Sequence, residues 1–198
     1  RSNYIRSLCW STVTSHCDVY SALRCQYHIR DLVTDILYGD FETFSVCDLK
    51  REGLWRYANH PTTDVFCLSY AFNDEPVDII YTKIGQGALS NIEGLERVFT
   101  HIKSGGEFGA HNAQFELSIW NTILYKKYRW PELKLEQTFC TMAECYAMGL
   151  PGALENAAAA LGLRVTKDSD GRALMLRMCK PMNISKLLEG KETVPLWY

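Results

Sequence analysis

The stretch Tyr38-Gly-Asp-Phe-Glu-Thr43 decides the fold that we predict for this chain. Apolar, β-prone residues lead into it, and Asp40 and Glu42 then stand two positions apart. Successive side chains of a strand point to opposite faces, so a strand over residues 35–44 places both carboxylates on one face. Like charges this close repel, and apolar neighbours add to the cost. Mg²⁺ or Mn²⁺, which prefer oxygen ligands, would relieve that conflict.

This spacing alone favours a plainer interpretation, a polar strand end with two solvated acids. A second segment, Ala110-His-Asn-Ala-Gln-Phe-Glu116, changes that balance. It joins a predicted strand to a predicted helix, and ligands of open α/β sheets bind at such strand ends. Glu116 in a first helical turn is also explained by the helix dipole alone, and Asn112 by helix capping. The functional interpretation therefore requires Asp40, Glu42 and Glu116 to converge.

Composition limits the class of protein. The 198 residues suffice for one domain with a substantial core, and a net charge of −2 excludes a globally basic surface. None of the eight cysteines forms a Cys-x-x-Cys pair, so we expect reduced, mostly buried thiols in a cytosolic protein. The sequence contains no long apolar run, so it predicts neither secretion nor membrane insertion.

The hydrophobic pattern predicts an α/β domain with a mixed sheet. Three strands joined by short connections predict an antiparallel meander, and strands alternating with helices follow it. The predicted strands cover residues 35–44, 64–72, 77–82, 107–112 and 135–140. The predicted helices cover residues 48–57 (capped by Asp48 or Ser45), the Leu95–Ile102 region, and 113–127, 141–148, 154–161 and 173–179.

Two segments of the chain resemble a known superfamily. Asp40-Phe-Glu-Thr43 resembles the first motif of the DEDD 3′–5′ exonucleases, and His111-Asn-Ala-Gln-Phe-Glu116 resembles the second. The resemblance is greatest to the exonuclease domains of phage-type, family-A DNA polymerases and covers roughly residues 36–182. It includes the segments Cys140-Thr-Met142 and Gly149-Leu-Pro-Gly152. We therefore expect an exonuclease-like domain at 35–182, between an extension at 1–34 and a tail at 183–198.

The resemblance implies a ribonuclease-H-like mixed sheet flanked by helices, and two-metal hydrolysis of single-stranded DNA 3′ ends. Asp40 would bridge two Mg²⁺ or Mn²⁺ ions, Glu42 would hold the ion that activates water, and Glu116 would replace the third acid. A DNA polymerase module is the implied partner, in the cytoplasm of a bacterial host cell, with no membrane involved. The protein would be encoded by the bacterial host or by a phage.

The same resemblance assigns four residues to the substrate. Phe41 and Thr43 would line the pocket of the terminal nucleotide, and His111 and Asn112 would contact the substrate from the second motif. Basic residues after the second-motif helix, among them Lys126, Lys127 and Arg129, offer phosphate contacts, and an ordinary solvated face explains them equally well.

The chain departs from the family pattern in two ways. Its second motif ends in Glu instead of the usual Asp, and no Tyr-x-x-x-Asp third motif follows Lys180-Pro181. The matching segment Tyr27–Asp31 would require a permuted helix, and Asp168 and Asp170 correspond to a loop. Two alternatives to an active exonuclease therefore stay open: a degenerate domain that binds nucleic acid or protein without efficient cleavage, and a fragment that lacks a segment needed for activity.

Overall fold

The computed structural model describes residues 35–82, 91–163 and 179. Within them, a five-stranded sheet has the order β3-β2-β1-β4-β5. Strand β2 pairs antiparallel with β1 and β3 pairs antiparallel with β2, whereas β4 and β5 run parallel to β1. This sheet confirms the predicted meander and mixed α/β class, and it is compatible with a ribonuclease-H-like arrangement. The strands are β1 (Ile36–Phe44), β2 (Asp64–Phe72), β3 (Asp78–Tyr81), β4 (Glu107–Ala110) and β5 (Thr138–Cys140).

Helices connect and cover these strands. They are α1 (Leu49–Glu52), α2 (Leu54–Asn59), α3 (Ile92–Lys103), α4 (Gln114–Ile119), a π-helix (Trp120–Tyr125), α5 (Lys126–Tyr128), a 3₁₀ turn (Leu135–Gln137), α6 (Thr141–Ala147) and α7 (Leu154–Ala160). The predictions for residues 1–34, 173–178 and 183–198, and for Asp168 and Asp170, lie outside the described residues.

The helix predicted over residues 48–57 is divided in two at Gly53, and the prediction of one helix was wrong. Gly53 has φ 81°, a left-handed conformation that glycine adopts without steric cost and that interrupts the helical path. The predicted cap is confirmed at Asp48, whose Oδ1 accepts hydrogen bonds from the backbone N–H groups of Lys50 and Arg51 at 2.9 and 3.2 Å.

The helix predicted over residues 113–127 contains a π-helical turn that the sequence did not predict. Its first two side chains both bind the segment 131–133. The Trp120 indole donates to the Pro131 carbonyl at 2.8 Å, and the Asn121 amide donates to the Leu133 carbonyl at 2.7 Å. These two hydrogen bonds tie the π-helical turn to the segment 131–133.

The main hydrophobic core lies on the face of β1 that carries Leu37 and Phe41, and Trp120 is fully buried in it. On the opposite face, Ile36 and Tyr38 form a smaller cluster. Asp40 and Glu42 continue that second face toward the end of the strand, because alternate side chains of a strand share a face. This placement keeps both acids outside the main core.

Two expectations from the composition, on membrane spans and on cysteines, can be compared with the described part of the chain. No helix there is long and apolar enough to cross a membrane. The cysteines in those ranges are free thiols, and Cys67 and Cys145 are buried while Cys47, Cys140 and Cys179 are half-buried.

Candidate active site

The candidate site lies where the parallel strands β1 and β4 end. Tyr38 pairs with Gly109, so Asp40 is level with the residue that immediately follows β4. The chain turns there and enters α4, which carries Glu116 in its first turn. The topology therefore brings an acid from the first motif and an acid from the second to the carboxyl ends of β1 and β4. Their role as metal ligands stays a prediction.

Asp40 and Glu116 interact electrostatically, and both carboxyl groups hold their protons unusually tightly. Burial raises the pKa of Asp40 from 3.8 to about 7. Burial raises the pKa of Glu116 well above its ordinary value, and the nearby charge of Asp40 raises it further. Glu116 is 3% exposed, and its Oε2 has no hydrogen-bond partner. A hydrogen bond from the backbone N–H of Glu116 lowers its pKa, but burial and the charge of Asp40 outweigh it.

Gly39 allows β1 to pack closely at this point. A Cβ atom at this position would lie 2.6 Å from the ring of Phe108 on the neighbouring strand and 3.1 Å from a methyl group of Leu68. Glycine immediately before Asp40 thus lets the strand that carries the acid lie against the fully buried Phe108.

The turn from β4 to α4 depends on Asn112. This residue has φ 67°, a left-handed conformation that asparagine tolerates better than most residues. Its carbonyl accepts the Phe115 N–H at 2.9 Å, whereas no side chain caps α4. Asn112 is therefore explained by the turn and not by side-chain capping, and the residue is exposed.

Glu42 lies further along β1, near a different set of groups. Its charge contributes to raising the pKa values of Tyr57 and Cys179; burial is the larger cause for both, and the pKa of Cys179 reaches about 12. Within the ranges that the structure describes, no three His, Cys, Asp or Glu residues form a group able to hold a metal ion. Asp40 and Glu116 are thus the part of the predicted acidic triad whose interaction the structure shows.

The residues predicted to bind the substrate differ in exposure. The ring of Phe41 is buried, with its centroid 5.9 Å from that of Trp120. Thr43 is also buried, and its hydroxyl lies 2.8 Å from the Tyr57 hydroxyl. Their contact with a nucleotide stays a prediction, and both side chains already serve the packing of β1 against neighbouring elements.

His111 is bound within the protein through both ring nitrogens. Its Nδ1 lies 3.0 Å from the Thr141 hydroxyl, and its Nε2 lies 2.7 Å from the Gly152 carbonyl. Burial lowers the pKa of His111. We did not predict a role for Thr141 from the sequence, although its position at the end of a parallel strand was a usable signal.

The basic residues after the second motif differ in their surroundings. Lys127 donates to the buried carboxylate of Asp64 at 2.6 Å, so it has a structural partner. Lys126 and Arg129 are exposed and stay candidates for phosphate contacts.

Comparison with known proteins gives a similarity to a phage protein. The sequence is 35% identical to a DNA polymerase of Bacillus phage SP02 over 147 residues, which cover 72% of the chain. The chain spans about a fifth of that relative, 21% of its length. No family model matches the sequence. The similarity indicates a polymerase-related domain.

Proposed function

We propose that this chain is a metal-dependent 3′–5′ exonuclease domain that hydrolyses phosphodiester bonds at single-stranded DNA 3′ ends. The observation that carries the proposal is the interacting pair Asp40 and Glu116, in which Glu116 Oε2 is buried without a hydrogen-bond partner. The similarity to a phage DNA polymerase supports a role in DNA replication beside a polymerase module, and the resemblance of both motifs supports the exonuclease reaction.

The acidic pair fits a hard divalent cation. Carboxylate oxygens are the ligands that Mg²⁺ and Mn²⁺ prefer. A cation would supply a positive charge between the carboxyl groups of Asp40 and Glu116. Asp40 and Glu116 would hold it, with Glu42 as a further ligand for a second ion. When bound, such ions lower the pKa of water and neutralise charge on the scissile phosphate.

The protein groups have their own roles in this proposal. The acids by themselves repel a phosphodiester, so they give the site its dependence on a cation. Asn112, exposed in the turn that leads to Glu116, would contact the terminal nucleotide with a neutral amide. Lys126 and Arg129 would contact the backbone of the strand farther from its end.

A binding module without efficient cleavage is the second candidate. The observation in its favour is that the described residues contain no group of three metal-binding side chains. Such a domain would retain the fold and bind a single strand or a protein partner, but would hold a cation too weakly to support hydrolysis. Metal stoichiometry and strand cleavage distinguish the two candidates.

Calorimetric titration with Mn²⁺ is the first test. We expect about two ions per chain for the wild type and loss of binding in Asp40→Ala and Glu116→Gln, because each change removes a charged oxygen ligand. Glu96→Gln, which removes a charge from an exposed position of α3, is the matched control and should bind as the wild type does.

A 5′-labelled single strand with Mn²⁺ then tests hydrolysis. We expect shortening from the 3′ end, slowed about a hundredfold or more by either site variant, since several kcal/mol of transition-state stabilisation would be lost. An intact strand with at most one weakly bound ion would contradict the exonuclease proposal and favour the binding module.

A further inference from the structure

His111 connects three separate parts of the chain beside the candidate site. It directly follows β4, and its ring bridges Thr141 at the start of α6 and Gly152 in the loop before α7. These partners lie 30 and 41 residues away in the sequence. A surface histidine that binds substrate would keep at least one ring nitrogen available, whereas both nitrogens of His111 have partners inside the protein.

The partners fix the protonation of the ring. The Gly152 carbonyl only accepts, so Nε2 carries the proton and donates to it at 2.7 Å. In a neutral ring, Nδ1 then accepts from the Thr141 hydroxyl at 3.0 Å, which is shorter than that hydroxyl's 3.4 Å contact with the Ala110 carbonyl. Thr141 is fully buried, so its proton is directed within this network and not to solvent.

A second tie holds the same turn from its other side. The Ala113 N–H donates to the Cys140 sulfur at 3.4 Å, and Ala110 pairs with Cys140 at the end of the β4–β5 ladder. The turn between these contacts contains the left-handed Asn112. Residues 110–113 are therefore fixed to the start of α6, and their path sets where α4 begins.

This attachment opposes the exposure of Glu116 to water. Glu116 is 3% exposed and its Oε2 has no hydrogen-bond partner, so an outward movement of the first turn of α4 would hydrate its carboxyl group. The bonds of the preceding turn restrain that movement. A cation site needs both carboxylates in place before the ion arrives, and supporting hydrogen bonds commonly provide such order.

We propose that His111 is a positioning residue, which keeps Glu116 beside Asp40 by tying the β4–α4 turn to Thr141 and Gly152. This inference rests on the proposed function, because it gives the acidic pair the task of holding a cation. It assigns His111 no contact with DNA, in contrast to the role that the family resemblance implied.

His111→Ala, His111→Gln and Thr141→Val test the proposal, with His101→Ala as the matched control. His101 also has a ring nitrogen bound to a carbonyl, that of Glu107 at 2.9 Å, but at the opposite end of β4. We expect His111→Ala to weaken Mn²⁺ binding by about tenfold or more, and Thr141→Val to weaken it less. His111→Gln can still donate to the Gly152 carbonyl, so it should recover part of the affinity, and His101→Ala should not change it.

Amide hydrogen exchange without metal provides a measurement that does not depend on the proposed function. Positioning predicts faster exchange at residues 113–117 in the His111 variants, with β1 and β2 unchanged. Faster exchange throughout the sheet, or unchanged exchange together with unchanged Mn²⁺ affinity, would overturn the proposal. If the wild type binds no Mn²⁺, the proposed function fails and exchange alone decides the role of His111. If His111→Ala does not fold, His111→Gln and Thr141→Val decide it.

Discussion

Asp64 and Glu116 are two buried acids whose surroundings are opposite in kind. Asp64 begins β2 and is contacted by Lys127 and Tyr128 of α5, whereas Glu116 lies in the first turn of α4. The two acids are 2% and 3% exposed. Asp64 accepts hydrogen bonds from Lys127 at 2.6 Å, from the Tyr128 hydroxyl at 2.9 and 2.8 Å, and from the Val65 N–H at 2.9 Å. Glu116 has an oxygen without a hydrogen-bond partner and interacts with Asp40.

This difference separates a structural acid from a functional candidate. Most buried polar groups of folded proteins are hydrogen-bonded, so burial alone does not identify a site. Asp64 follows that rule, and its bonds join the start of β2 to α5. Glu116 is an exception to that rule, and it lies near the carboxyl ends of β1 and β4, where a ligand would bind. A buried acid with an unpartnered oxygen and a raised pKa is a candidate for a functional site, so its hydrogen-bond partners are more informative than its burial.

Removing the satisfied acid should cost the most. We expect Asp64→Ala to lower the free energy of unfolding by about 3 kcal/mol, because it deletes a charged acceptor of several hydrogen bonds and leaves a cavity. Urea denaturation of the metal-free protein measures the change.

Two further variants sharpen this result. Asp64→Asn keeps the shape and part of the hydrogen bonding, so its loss should be smaller. Glu116→Gln should leave the stability unchanged or raise it, since it replaces a buried acid whose charged form burial and Asp40 both disfavour. Equal losses for Asp64→Ala and Glu116→Gln would contradict the distinction between the two acids.

The pH dependence of the free energy of unfolding should report the raised pKa of Asp40 directly. Folded Asp40 keeps its proton up to about pH 7, whereas the unfolded residue releases it near 3.8. Between these values the folded state binds more protons, so raising the pH through this window lowers the free energy of unfolding. Asp40 is half-buried, so we discount the shift for solvent screening and expect a contribution on the order of 2 kcal/mol.

The comparison with Asp40→Asn measures this contribution together with the effect of the Asp40 charge on the pKa of Glu116. Glu75 has a lowered pKa, owing first to its hydrogen bond with Arg97, and acts in the opposite direction in both proteins. The wild type, titrated in chelator, should therefore lose stability relative to the variant from pH 4 to 7. A difference between the two that is independent of pH would show that Asp40 is not perturbed.

The fold followed from sequence where local pattern and tertiary structure agree. The apolar run before Asp40 predicted β1, and β-formers between polar turns predicted β2. The π-helical turn could not be predicted, because Trp120 and Asn121 are held by residues 131–133 across the fold. Gly53 was a visible signal, but a lone glycine also occurs within continuous helices, and only its φ of 81° shows the break.

The site was predictable to a similar degree. The resemblance placed Asp40 and Glu116 in one centre, and the structure shows their interaction. The partners of His111 were missed because hydrogen bonds between residues 30 to 41 positions apart leave no local pattern. The sequence predicts Asp64 only as the start of a strand, since it does not show that Lys127 and Tyr128 donate hydrogen bonds to this residue.

Lys127→Met provides the smallest expected effect, and it tests which partner satisfies Asp64. The Lys127 side chain is 51% exposed, so its ion pair with Asp64 is screened on one side by water. Burial alone would lower the pKa of Lys127, and the hydrogen bond and charge of Asp64 outweigh it, so the pKa is raised. Methionine keeps the apolar stem, and Tyr128 and the Val65 N–H remain as donors. We therefore expect a loss of about 0.5 kcal/mol in urea denaturation.

The matched variant is Tyr128→Phe, which removes the hydroxyl that donates to Asp64 and keeps the ring. It should cost more than Lys127→Met, because its hydroxyl lies within 2.9 Å of both carboxylate oxygens and its bond to a charged acceptor is less screened. If Lys127→Met costs as much as Asp64→Ala, then Asp64 depends on a single cation. It would then differ from Glu116 only in already having that cation within the chain.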